Sequence, residues 1–105
     1  MGIEVTVRHI GLSDNGREYA QAKAEELMRE FPNIENVHVI IDGHGHRMLA
    51  EVVVQGKPHL RIEASGSADE VLPALDIALD KTMTQLRKAI KKVQEHRPAK
   101  IKLKD

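Results

Sequence analysis

Lys81, Gln85, Lys88 and Lys92 follow one another at spacings of four, three and four. On a helix of about 100° per residue they stack into one row, with Arg87 and Lys91 on its flanks. Cations so arranged suit phosphates, because each one neutralises a charge on a polyanion and releases its counterions. The row does nothing for the helix itself, since like charges at i,i+4 repel by roughly a few tenths of a kcal/mol. From Lys81 onward nine basic residues stand against two acidic ones, a balance of +7. The whole chain is neutral, with 16 basic and 16 acidic residues, so the first 80 carry −7. Basic residues near a helix C-terminus also complement the helix dipole. Lys100, Lys102 and Lys104 continue the run beyond the reach of any dipole. A face for a polyanion accounts for the whole run.

Other chemistries fare worse. His44 and His46 flank Gly45, and His9, His38 and His59 lie elsewhere. Two histidines at i,i+2 share a metal only if a third ligand converges from another strand. The sequence shows no such convergence, so neither a metal nor a cofactor is expected. Asp76 and Asp80 stand one helical turn apart, where they solvate the helix or pair with Lys81. The chain has no cysteine, which excludes disulfides, thiolate metal sites and a cysteine nucleophile. No Ser-His-Asp pattern, phosphate-cradling glycine loop or Walker motif is present. The chain therefore does not read as an enzyme, and no small-molecule substrate is implied. Its only aromatic residues are Tyr19 and Phe31, too few for base-by-base reading of single strands by stacking. Recognition of structured RNA by backbone and shape remains.

The elements that must carry these residues follow from periodicity. The length of 105 residues suits one domain, and 41% of them are hydrophobic. No apolar run approaches the ~18 residues of a membrane span. The N-terminus lacks a signal-peptide pattern, so the expected location is cytoplasmic, without membrane contact. Ile3, Val5 and Val7 alternate with Glu4, Thr6 and Arg8, which predicts a strand over 3–9. Ser13 is an N-cap for an amphipathic helix reaching about Glu30, its first turn weakened by Gly16 and its end set by Pro32-Asn33. Val37, Val39 and Ile41 mark a second strand, residues 42–46 a turn, and 47–55 a third strand. After a tight loop at 56–58, Leu60, Ile62 and Ala64 mark the fourth. Ser67 is the expected cap of a long helix from about Ala68 to Glu95, ended by Pro98. A start nearer Leu72 would place Pro73 comfortably in the first turn. Its inward stripe is Leu72, Leu75, Leu79, Leu86, Ile90 and Val93. The predicted class is α+β, in the order β-α-β-β-β-α. A four-stranded mixed sheet carries both helices on one face, with the first two strands parallel. Residues 1–97 form the domain and 98–105 a basic flexible tail.

Within this frame the sequence resembles the ribosome hibernation promoting factor family, which includes the ribosome-associated inhibitor and the sigma factor modulation proteins. The resemblance runs from Ile3 to about Lys92. RHIGLSDNGREYAQAK, from Arg8 to Lys23, is similar to the family's first strand end and first helix, and ENVHVIID to its second strand. PALDIALDKTMTQLRKAIKK matches the last helix through Ala74, Leu75, Asp76, Asp80, Lys81, Gln85, Leu86, Lys88 and Lys92. Departures are Leu72 where Tyr is usual, Thr84 where Arg is frequent, Ile90 in place of Lys, Gly16 in place of an apolar residue and Val7 in place of Gly.

The resemblance implies a stress or stationary-phase factor that binds the small ribosomal subunit and its rRNA. It would lie in the channel where messenger and transfer RNAs bind, and block translation. It also implies an RNA-binding set of Arg8, His9, Arg17, Lys23, Lys81, Gln85, Arg87, Lys88, Lys91 and Lys92, and a monomer off the ribosome. The rival reading is a protein-interaction module that docks on an acidic partner such as a sigma factor.

Overall fold

Alternating apolar residues make a half-buried strand, and the first such run becomes β1, Gly2–Arg8. The computed structural model describes residues 2–57 and 59–102, with side chains as far as Lys91. α1, Asp14–Glu30, opens on Ser13, whose Oγ accepts the backbone N–H of Gly16 at 3.1 Å. β2 (Ile34–His44), β3 (Arg47–Gly56), β4 (Leu60–Ala68) and α2 (Val71–Lys102) complete the order β-α-β-β-β-α. The strands form one mixed sheet in the order β1-β2-β3-β4, with β1 parallel to β2 and the other pairs antiparallel. This is the α+β architecture that the periodicity predicts.

Register decides which face is buried. Val5, Val39, Val52 and Ala64 lie side by side across the four strands, and the last three are buried. Ala20, Ala24 and Leu27 of α1 and Leu75, Leu79 and Leu86 of α2 close over this face in a single core. The neighbouring row, Glu4, His38, Val53 and Glu63, belongs to the other face, which no helix covers.

The hairpins and α2 depart from expectation in instructive ways. The turn between β2 and β3 is only Gly45-His46, because Asp42, Gly43 and His44 stay paired with Leu49, Met48 and Arg47. β4 runs on to Ala68, so Ser67 is a strand residue that accepts from Arg47 Nη2 at 3.1 Å and caps nothing. α2 consequently starts at Val71, which puts Pro73 in the first turn, where its missing N–H costs nothing. The helix also continues through Pro98 to Lys102 instead of stopping. Interior proline costs a helix about 3 kcal/mol, but Gln94, Glu95, Arg97, Ala99 and Lys100 around it are strong helix formers. The stretch set apart as 98–105 is thus helical as far as Lys102, and residues 103–105 lie outside the described residues.

Two members of the expected inward stripe behave differently. Leu72 is 43% exposed, because it lies at the edge of the buried arc of α2, about 80° from its centre on an ideal helix, whereas Val71 just before it packs against the core. Ile90 is half-buried, and the side chain of Val93 lies outside the described residues. Ala74, Ala78 and Thr82 are buried in addition, with the Thr82 hydroxyl satisfied by the Ala78 carbonyl at 2.8 Å. Contact is closest at Gly66, where a Cβ would lie 2.7 Å from the Ala74 carbonyl oxygen and 2.7 Å from Ile77 Cβ. α2 rests there on bare backbone.

Leu86 and Leu72 give this packing a direct test. Leu86→Ala should lower unfolding free energy by about 2–5 kcal/mol, whereas Leu72→Ala should change it by less than about 0.5 kcal/mol. Equal losses in urea titrations would mean that the buried arc of α2 has been assigned to the wrong residues.

Candidate nucleic-acid interface

Burial of Ala74, Ala78 and Thr82 widens the core-facing arc of α2 towards β4. The exposed arc turns with it, by about 40° on an ideal helix. Its centre is therefore not the row Lys81–Gln85–Lys88. Lys81 stands at the β4 side, where its Nζ donates to the Ser65 carbonyl at 3.0 Å, and Gln85 stands beyond it, also exposed. Arg87 stands at the α1 side, with Nη2 3.9 Å from Glu30 Oε2. Lys91 lies near the middle, and Lys88 lies between it and Lys81, within about 20° of Lys81 on an ideal helix. Lys88 and Lys91 are both exposed, and among the described residues neither has a salt-bridge partner. The side chain of Lys92 lies outside the described residues.

Charge on α2 divides along the axis as well as around it. The two helices run in the same direction, since Tyr19 meets Asp76 while Glu30 meets Arg87. The N-terminal half of α2 and the facing flank of α1 enclose a groove whose rim includes Glu26, Glu30, Asp76 and Asp80 and whose floor is Leu27, Leu79 and Met83. Lys23 is drawn into it, 3.6 Å from Glu26 and 5.5 Å from the centroid of the Tyr19 ring. Asp76 accepts the Tyr19 hydroxyl at 2.6 Å, so it neither merely solvates the helix nor pairs with Lys81. That hydrogen bond, with burial and the charges of Asp76, Glu26 and Asp80, pushes the Tyr19 phenol up to about 12.

The remaining expected contacts lie at the other end of the domain. β1 ends and α1 begins at the end of the sheet where β4 leads into α2, so Arg8, His9 and Arg17, all exposed, lie at that end. From Pro73 to Lys88 the helix rises about 20 Å. Of the ten residues, Arg8, His9 and Arg17 lie at one end, Lys23 lies in the acidic groove, and the other six follow along α2 from Lys81 onward. Sequence reasoning missed the partner of His9, which is Asp42: Nδ1 lies 2.8 Å from Oδ1. Only the parallel register, Arg8 opposite Asp42, brings these residues together across 33 positions. His44 and His46 stand exposed on either side of Gly45. Among the described residues no three His, Asp or Glu side chains are placed to hold a metal, and no helix is long and apolar enough to cross a membrane.

Tyr19 is the only tyrosine, so its titration can be read directly from phenolate absorbance. Its folded pKa is raised, so its contribution to stability is complete below the ordinary tyrosine value and is lost as pH rises through about 12. Asp76→Asn should bring the midpoint down towards about 10. A wild-type midpoint already near that value would show that the Tyr19–Asp76 bond does not hold in solution.

Over residues 3–94 the sequence matches the family described as Sigma 54 modulation protein / S30EA ribosomal protein. No curated protein matches it. Among solved structures, a ribosomal subunit interface protein from Coxiella burnetii superposes with a TM-score of 0.70 at 21% identity, over 87% of this chain and 99% of that one. The N-terminal domain of Protein Y from Thermus thermophilus superposes with a TM-score of 0.72 at 24% identity, over 84% of this chain and 98% of that one. Both share the fold described above.

Proposed function

The chain belongs to the sigma 54 modulation protein / S30EA ribosomal protein family, one of ribosome-associated proteins and not of enzymes, and on that premise we propose that it is a ribosome hibernation factor. It binds the rRNA of the small subunit in the channel that messenger and transfer RNAs use, and it inhibits translation by excluding them. It acts in the cytoplasm, under stress or in stationary phase, and is a monomer when off the ribosome.

The observation that carries this reading is the exposure of Lys88 and Lys91 one turn apart on α2, without salt bridges among the described residues. Two solvated ammonium groups one turn apart match successive phosphates and cost little to bring into contact. Arg87 supplements them, although it shares its charge with Glu30. Lys81 contributes less, since contact with RNA must compete with its bond to the Ser65 carbonyl. The chain's two aromatic side chains are half-buried and buried, so recognition rests on backbone and shape.

Changing both Lys88 and Lys91 to Ala removes charge from a solvated face, so stability should move by less than about 0.5 kcal/mol. Affinity for isolated small subunits should fall, and the slope of log affinity against log salt should drop by about 1.4, from the single-strand factor of about 0.7 per phosphate. Inhibition of cell-free translation should weaken in parallel. Unchanged binding and slope, with an association that survives nuclease, would instead point to an acidic protein as the partner.

A further inference from the structure

Asp42 and His9 form a contact that the helix face does not need. His9 follows the last residue of β1 and has a φ of +62°, a left-handed conformation uncommon for a non-glycine residue. The connection is held there from both sides. Ile10 packs on the core beside Gly43, where a Cβ would collide with Ile10 and lie 3.5 Å from the His9 carbonyl oxygen. On the other side, the His9 ring reaches Asp42 with Nδ1 2.8 Å from Oδ1. The charged groups about the ring are Asp42 on β2 and Arg8 on β1, while the adjoining position on β3 is the apolar Leu49.

The chemistry of the pair is one-sided. The hydrogen bond from His9, the charges of His9 and Arg8 and the Gly43 backbone together hold the Asp42 carboxyl below its usual range, against the opposing effect of burial. At neutral pH Asp42 is therefore an acceptor only, and Nδ1 must supply the proton between them. Any second proton goes to Nε2. The His9 side chain is 73% exposed, next to the exposed guanidinium of Arg8. We propose that Asp42 is a positioning residue which fixes the proton of His9 on Nδ1 and leaves Nε2 as a proton-gated contact for a phosphate of the bound RNA. Neutral Nε2 offers a lone pair, which a phosphate oxygen repels. Protonated Nε2 is a cationic donor, which the same oxygen accepts. The phosphate contact rests on the rRNA reading above, but the tautomer does not.

Long-range proton–nitrogen NMR of the histidine rings, above the pH range where histidine changes charge, should show His9 protonated on Nδ1 in the wild type. In Asp42→Ala the proton should move to Nε2, and Asp42→Asn, which can still accept through its carbonyl, should partly restore it. Small-subunit affinity of the wild type should rise about twofold to fivefold between pH 8 and pH 6, relative to His9→Gln over the same range. Asp42→Ala should lose that difference. A wild-type Nε2–H tautomer, or a wild-type pH profile that superimposes on that of His9→Gln, would overturn the proposal. If the chain binds no small subunits at any pH, the ribosomal reading and the phosphate contact fall together, and the tautomer alone still decides whether Asp42 positions the ring.

Discussion

The direction in which this protein's charges point depends on how closely α2 approaches β4. Gly66 offers bare backbone at the contact, and Ala74, Ala78 and Thr82 offer only small side chains to meet it. The helix can therefore roll its flank onto the edge of the sheet. A bulky residue at any of these places would hold the helix away and turn its leucines alone towards the core. The roll moves Lys81 against β4, where it closes on the Ser65 carbonyl of an edge strand. It also brings Asp76 and Asp80 to the flank that α1 faces. An arrangement of small residues thus sets which cations are spent on the fold and which stay in solvent.

The same geometry explains why the acidic half of α2 is not a liability. Because the helices run in parallel, Asp76 and Asp80 meet the α1 flank of Tyr19, Lys23 and Glu26, while Arg87 meets Glu30. Asp76 accepts a hydrogen bond from the Tyr19 hydroxyl, and Lys23 lies over the Tyr19 ring. The carboxylates that outnumber the cations there line the rim of a groove, where water screens them. An antiparallel α1 would instead have set Glu30 beside Asp76 and left Arg87 without it.

Much of this was legible in the sequence, and the failures have physical causes. The alternation in β1, the Ser13 cap and the order of six elements follow from local periodicity, which dominates where one face is buried and the other wet. Large apolar residues locate Leu75, Leu79 and Leu86 correctly but do not reveal the whole buried arc of α2. Alanine and threonine carry little apolar weight, yet close packing buries them more completely than the larger Leu72. Ser67 has the residue type of a cap, but its environment is a strand pairing with β3, a non-local fact. His9 and Asp42 could not be joined without the parallel register. Within the candidate interface, residue types were readable and their distribution along the molecule was not. That distribution depends on which ends of β1 and the helices coincide.

Formal neutrality says little about how such a molecule meets RNA. At physiological ionic strength the Debye length is about 8 Å, while the exposed lysines of α2 and the Arg8–His9 end of the sheet are about 20 Å apart along the helix axis. The two ends are therefore felt separately, although Glu30 on the groove rim already offsets Arg87. An approaching polyanion is attracted at the ends and repelled at the middle, so the charge pattern favours particular orientations over random sticking. Lysines spread evenly over the same surface, at the same net charge, would have no such preference. If the chain binds rRNA as proposed above, the segregation of +7 into the last 25 residues serves orientation as much as affinity.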